Sequence, residues 1–133
     1  MSLKHQEYKE KNLQFMDEAR EREGMNELEN GVLYRIITNG RGIKPTLKSN
    51  ITVHYKGQLI NGEVFDTTFD KGRPATFRLA HLIEGWQSAI SEMQVGAHWE
   101  IIVPYYLGYG SRSMGDIKAY STLIFEVQLL GIR

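Results

Sequence analysis

Cysteine is absent from the 133 residues, which excludes a disulfide scaffold, a thiol nucleophile and a Cys-ligated zinc site. A surplus of one charge is missing too, since 16 basic residues balance 16 acidic ones. Nucleic-acid binding rests on neutralising phosphates with excess Lys and Arg, so that partner class is set aside. No apolar run approaches the roughly 18 residues needed to cross a bilayer, and no internal repeat or low-complexity tract occurs. What is there is 41% hydrophobic and 24% charged, a globular composition at the length of one domain with room for an appendage.

A leader is also lacking. Met1-Ser2-Leu3 runs directly into charged sequence, with no apolar segment or small-residue cleavage site. A cytoplasmic start and a chain trimmed of its leader look alike at this point. The bacterial periplasm or cell envelope is the expectation if a leader has been removed, and the cytoplasm otherwise.

Charge is unevenly spread. Residues 1–30 hold 5 basic and 8 acidic side chains, net −3, leaving 11 basic and 8 acidic in residues 31–133. From Lys4 to Glu23, 11 of 20 residues are charged and neither Pro nor Gly occurs. Tyr8, Asn12, Phe15, Met16 and Ala19 fall near one face at helical spacing, and Gly24 ends the pattern. That face is thin. The helix is either a solvated linker or leans on its own domain or on a second copy.

From Gly31 the pattern changes to short strands. Val32 to Thr38 is rich in β-formers and stops at Asn39-Gly40. Ile51 to Lys56 forms a second strand closed by Gly57, and Gln58 to Phe65 continues it past an Asn61-Gly62 turn. Thr76 to Leu79 is a short extended piece after Pro74. Trp99, Ile101 and Val103 alternate with His98, Glu100 and Ile102 until Pro104; Leu123, Phe125, Val127 and Leu129 alternate in the last strand. One helix interrupts the series, with Leu82, Ile83, Trp86, Ile90 and Met93 recurring at spacings of three and four over about a dozen residues. The fold class expected is α+β, a mostly antiparallel sheet with one short packed helix.

Conventional catalytic motifs are missing. His5, His54, His81 and His98 show no spacing of three or four that would pair them as metal ligands. Gly108-Tyr109-Gly110 follows a strand, but no helical pattern opens after it, so it does not read as a phosphate loop. No Gly-x-Ser-x-Gly elbow exists. Asp66 and Asp70 flank Thr67-Thr68 in a turn-like segment where Asp is ordinary. Aromatic residues are left: Tyr55, Phe65, Phe77, Trp86, Tyr109 and Phe125 lie on different elements around one helix, and buried aromatics are usually core.

Six segments in order change the weight of that cluster. They are Val53-His54-Tyr55-Lys56-Gly57; Gly62 to Thr68; Leu82-Ile83-Glu84-Gly85-Trp86; Met93-Gln94-Val95-Gly96; Val103-Pro104 through Tyr109-Gly110; and Ser121 to Leu129. In these the chain resembles the FKBP-type peptidyl-prolyl cis-trans isomerases, from about Asn30 to Arg133. Its prefix is similar to the helical extension of the bacterial subgroup that includes macrophage infectivity potentiator proteins. The resemblance implies residues 1–29 as a helical extension and 30–133 as the isomerase domain. It also implies a twisted antiparallel sheet of about five strands wrapped around one short helix.

The resemblance further implies a shallow apolar pocket for a proline ring, with Trp86 as floor and Tyr55, Phe65 and Phe125 as walls. Leu82 and Ile83 line the helix side, the Ile83 N–H and the Tyr109 hydroxyl meet ligand carbonyls, Asp66 sits hydrogen-bonded at the rim, and Ile117 closes the pocket from the long loop. No cofactor is implied. Implied partners are proline-containing proteins or peptides, and a macrolide inhibitor such as rapamycin. The chain departs from the family pattern at Ile117-Lys118-Ala119, commonly Ile-Pro-Pro, at Lys71 in place of a rim Arg, and at Ala75 in place of an aromatic. The loop from Tyr105 to Gly110 is one residue longer than in the shortest members. Three functional expectations follow: an isomerase assisting protein folding, a proline-peptide binding or chaperone module with little turnover, and a structural protein that forms a homodimer through its N-terminal helix.

Overall fold

The structure, a computed structural model, describes residues 2–133. An 18-residue helix opens the chain (α1, Leu3–Arg20). Five strands follow: β1 (Asn26–Glu27), β2 (Leu33–Thr38), β3 (Asn50–Gln58), β4 (Val64–Thr67) and β5 (Ala75–Arg78). A 3-10 turn at Leu79–His81 leads into α2 (Glu84–Ile90), and β6 (His98–Val103) and β7 (Leu123–Ile132) complete the sheet. All pairings are antiparallel, in the order β1-β2-β6-β7-β3-β4, with β5 also on β3. β5 pairs with Asn50–Val53 and β4 with Lys56–Gln58, so the two short strands share one edge of β3 end to end.

The sheet thus has seven strands where about five were expected. One of the additions, β1, pairs Asn26 with Tyr34 and Glu27 with Leu33, ahead of the boundary expected at residue 30. Gly57 does not close β3, which runs on to Gln58 and pairs Gly57 with both Asp66 and Phe125. α2 is shorter than the sequence spacing implied, at seven residues. The Gln87 side-chain amide donates to the carbonyls of Leu82 (2.8 Å) and Ala80 (3.2 Å), which ties the helix to a non-helical lead-in. Leu82 and Met93 keep their apolar positions from outside the helix, packed against the core.

Period-two alternation divides the sheet into two faces. Ile51, Val53, Tyr55, Trp99, Ile101, Val103, Leu123, Phe125, Val127 and Leu129 point to the face covered by α2 and form the main core. α2 lies close because Gly85 has no side chain, and a Cβ there would come within 2.5 Å of Val103 Cγ1. Leu33 and Ile102, one residue out of phase, point to the opposite face and meet Met16 and Ala19 of α1. Of the options open for the charged helix, the structure takes the domain itself. α1 starts at a Ser2 cap whose hydroxyl oxygen accepts the His5 N–H at 3.2 Å. Arg20 closes its last turn, pairing with Asp17 (2.8 Å) and Glu27 (3.2 Å). No described helix is long and apolar enough to cross a membrane.

Candidate functional site

Between the sheet and α2 lies a cavity of about 300 Å³, whose walls come from six separate parts of the chain. β3 contributes Tyr55, β4 contributes Phe65 and Asp66, and β5 contributes Phe77. Trp86 comes from α2, with His81, Leu82 and Ile83 from its lead-in, Phe125 from β7 and Tyr109 from the loop after β6. Strand alternation explains the choice. Tyr55 and Phe125 occupy inward positions of neighbouring strands, in register with Val127 and Gly57 respectively.

The rings meet edge to face around one indole. Trp86 lies 5.1 Å from Tyr55 at 89°, 5.2 Å from Phe125 at 79° and 6.3 Å from Phe77 at 76°. Phe65 closes on Phe125 at 5.8 Å and 85°. Such tilted arrangements set the positive edge of one ring against the negative face of the next. Gly57 makes room for two of these walls: a Cβ there would lie 2.6 Å from Phe65 Cζ and 2.8 Å from Phe125 Cε1. Trp86 is 4% exposed and Tyr55 7%, so the floor is part of the core as well as of the cavity.

Polar groups stand at the margin. The Tyr55 hydroxyl donates to Asp66 Oδ2, and Lys71 Nζ lies 3.7 Å from Asp66 Oδ1 across a solvent-exposed gap. Burial first, and then the hydrogen bond to Asp66, push the Tyr55 hydroxyl well above the ordinary tyrosine range. That group remains a donor throughout the neutral range. On the helix side, the Ile83 carbonyl accepts from Trp86 N (3.0 Å) and Gln87 N (3.1 Å). The Ile83 N–H precedes the helix and takes no part in its ladder, as expected for a residue at a helix start. The arrangement can hold a compact apolar ring over Trp86 and meet polar atoms of the same ligand at the rim. It contains no nucleophile paired with a base.

Of the nine residues proposed from sequence, Tyr55, Phe65, Asp66, Leu82, Ile83, Trp86, Tyr109 and Phe125 line this one cavity. Ile117 does not. It is buried in the core cluster, 5% exposed, and pairs with Met114 through backbone hydrogen bonds of 2.8 and 2.9 Å. Its neighbour Lys118 turns toward α1, with Nζ 5.4 Å from the Tyr8 ring centre. Two lining residues were missed. Phe77 belongs to the aromatic set that the sequence shows but not to the expected site, although its alternation with Thr76 and Arg78 marks it as inward. His81 carries no sequence signal, because it sits in a 3-10 turn between the extended piece that ends at Leu79 and the helical spacing that begins at Leu82.

Comparison with known proteins falls on the same region. Residues 42–130 match the family described as FKBP-type peptidyl-prolyl cis-trans isomerase. The chain is 42% identical over 125 residues to the peptidyl-prolyl cis-trans isomerase Mip of Coxiella burnetii, covering 93% of this chain and 54% of that protein. It is 40% identical over 131 residues to the outer membrane protein MIP of Legionella longbeachae, covering 98% and 56%. The crystal structure of FkpA from Escherichia coli superposes with a TM-score of 0.94 at 28% identity, covering 98% of this chain and 61% of that one. The chain spans just over half the length of the curated relatives it matches.

Proposed function

The chain belongs to the FKBP-type peptidyl-prolyl cis-trans isomerase family, and from that membership we propose that it catalyses rotation about Xaa-Pro bonds in other proteins and so assists their folding. The observation that carries the reading is the cavity itself, floored by Trp86 and walled by Tyr55, Phe65, Phe77 and Phe125, with Asp66 and Tyr109 among its lining. Its volume stands at the small end of the range of about 300–1,000 Å³ typical of ligand pockets, which suits a proline ring better than a large side chain.

The reaction needs no covalent step. Resonance gives the peptide C–N bond double-bond character and a rotation barrier of about 18–20 kcal/mol. Twisting breaks that resonance and reduces the charge separation of the amide, so the twisted form loses less than the planar one when water is removed. An aromatic pocket that seats the ring and excludes water therefore favours the transition state over the ground state. In this reading Tyr109 donates to a carbonyl beside the proline and the Ile83 N–H holds another. Asp66, held by Tyr55, orients the rim. A thousandfold acceleration requires only about 4 kcal/mol, within reach of ring burial and two aimed hydrogen bonds.

The test is cis–trans exchange of a Leu-Pro peptide followed by NMR, with the wild type and with Asp66→Ala/Tyr109→Phe. Exchange should quicken with the wild type and fall by at least tenfold in the double variant. Shifted lines without quicker exchange would sink the catalytic reading and leave a proline-binding or chaperone module. One observation favours that second reading: Ile117 is not among the residues that line the cavity, and Lys118 lies against Tyr8 of α1. Rapamycin-type macrolides are proposed ligands of the same cavity, checked by inhibition of that exchange. A homodimer through α1 would have to use the exposed Leu3 and Leu13, since Met16 and Ala19 face this chain's own sheet; a monomer mass by light scattering would remove it. The name of the Legionella relative supports a cell-envelope location, for which cell fractionation is the check.

A further inference from the structure

We infer that α1 is a positioning element of the cavity: through Tyr8, Lys9 and Asn12 it holds the returning limb of the loop that carries Tyr109. The inference rests on the isomerase reading above and extends it to residues that touch no substrate.

The starting point is a buried polar residue on a charged helix. Asn12 is 0% exposed, and Asn is a poor helix former because its side chain competes for backbone partners. Here both ends of the carboxamide are used. Nδ2 donates to the Tyr8 carbonyl at 2.8 Å, and Oδ1 accepts the Thr122 N–H at 2.7 Å, 110 residues away. The Thr122 hydroxyl returns a bond to the Asn12 carbonyl at 3.3 Å. One turn earlier, the Tyr8 hydroxyl lies 2.9 Å from Ser121 Oγ. The Ser121 proton is already given to the Lys118 carbonyl at 2.7 Å, so Tyr8 is the donor. Lys9 Nζ stands 5.2 Å from the Tyr120 ring centre and 5.7 Å from that of Tyr105, and these two rings pack on each other at 5.2 Å.

These contacts converge on a strained stretch. Tyr120 is the one non-glycine residue among those described with a positive φ, at 66°, a conformation a bulky side chain keeps only when its surroundings hold it there. Its N–H donates to the Gly110 carbonyl at 2.9 Å, and the Gly110 N–H donates to the Tyr105 carbonyl at 2.8 Å. Gly110 directly follows Tyr109. Two hydrogen bonds joined by the backbone of residues 120–122 thus link Asn12 to the backbone beside the Tyr109 side chain. Adhesion to the sheet would need only Met16 and Ala19, which sit one to two turns further on. The polar contacts instead go to the loop base.

The test uses the full chain. Asn12→Ala is compared with Gln14→Ala, an exposed position on the same helix whose side chain reaches only Glu18. All rates are taken well below each variant's melting temperature, with circular dichroism confirming the fold. Asn12→Ala should lower kcat/KM for a Leu-Pro peptide about tenfold, chiefly through kcat, because misplacing a catalytic donor by a fraction of an ångström costs rate before affinity. Gln14→Ala should leave it unchanged. On a Tyr109→Phe background, Asn12→Ala should cost less than about twofold more, since residues acting through one another are not additive. Amide exchange at Tyr120 and Gly110 should accelerate in Asn12→Ala. Unchanged exchange at those amides would overturn the brace, and so would a lowered melting temperature with kcat/KM intact. A wild type without turnover would overturn the isomerase reading and this role with it; the wild type's own progress curve identifies that outcome, while the exchange rates still report whether the brace exists.

Discussion

The two faces of the sheet carry one helix each, and the helices are held in opposite ways. α2 has seven residues, yet four of them are buried, and Gly85 lets its backbone approach β6 to within the reach of a single methyl group. α1 has eighteen residues and buries only Asn12, Met16 and Ala19. The short helix is fastened by shape and the long one by a thin apolar stripe with a polar anchor at one end. A face fastened by shape can double as the floor of a cavity, because the rings that form the core also present their outer surfaces to a ligand. A face fastened at a few points leaves the helix surface free and transmits force only where it is anchored.

Truncations on the two faces should therefore differ in kind, and the largest effect belongs to the inner one. Trp86→Ala removes the ring that contacts Tyr55, Phe77 and Phe125 at once. It should destabilise by about 3–5 kcal/mol in denaturant unfolding and abolish turnover in the fraction that stays folded. Met16→Ala, buried against Leu33 and Ile102, should cost about 2 kcal/mol with kcat/KM of the folded protein unchanged within twofold. Loss of activity from Met16→Ala beyond its loss of folded protein would break the comparison, since the outer face would then act on the cavity through its apolar stripe as well as its polar anchor.

How much of this could be read beforehand follows from the same contrast. Inner-face strands alternate cleanly, so Trp99, Ile101, Val103 and the run Leu123 to Leu129 announced both their secondary structure and their direction. The cavity residues then followed from family motifs in matching order. α2 was overextended because Leu82 and Met93 keep helical spacing from outside the helix; apolar periodicity records where side chains point and not how the backbone gets there. β1 escaped notice because two residues of strand, Asn26–Glu27, have no period to detect. The family resemblance places Ile117 at the cavity, and the structure sets it in a turn with Met114, buried and outside the cavity lining. Asn12 was seen on the right helical face, but its partner Thr122 is 110 residues distant, a pairing that local sequence does not encode.

A smaller test addresses how closely the inner face is fitted. Gly57→Ala places a methyl group within 3 Å of Phe65 and Phe125, and overpacking of that kind costs about 1–3 kcal/mol. Its backbone needs no special torsion, so the cost falls on the two rings. Catalysis should suffer more than stability, by on the order of tenfold or more in kcat/KM, because reacting groups misplaced by about an ångström can lose far more than that. Equal stability with full turnover would mean that the walls adjust freely, and the contrast between a shape-fitted face and a point-anchored one would lose its ground.

The smallest effect sharpens the comparison at the rim and shows only in alkali. The Tyr55 hydroxyl is held above its ordinary ionisation range by burial and by its bond to Asp66. In the unfolded chain it titrates at about pH 10. The folded state therefore binds this proton more tightly, and stability must fall as pH rises above the unfolded value. Below about pH 9 the contribution is complete; through the alkaline range it drains away. Tyr55→Phe has no such proton, so in urea unfolding the wild type should lose stability relative to Tyr55→Phe between about pH 9.5 and pH 11.5. A parallel pair of curves would mean that the hydroxyl is not sheltered and that Asp66 is not held by it. If the curves converge as expected, the rim donor Tyr55 is held by its burial in the inner face and by its bond to Asp66.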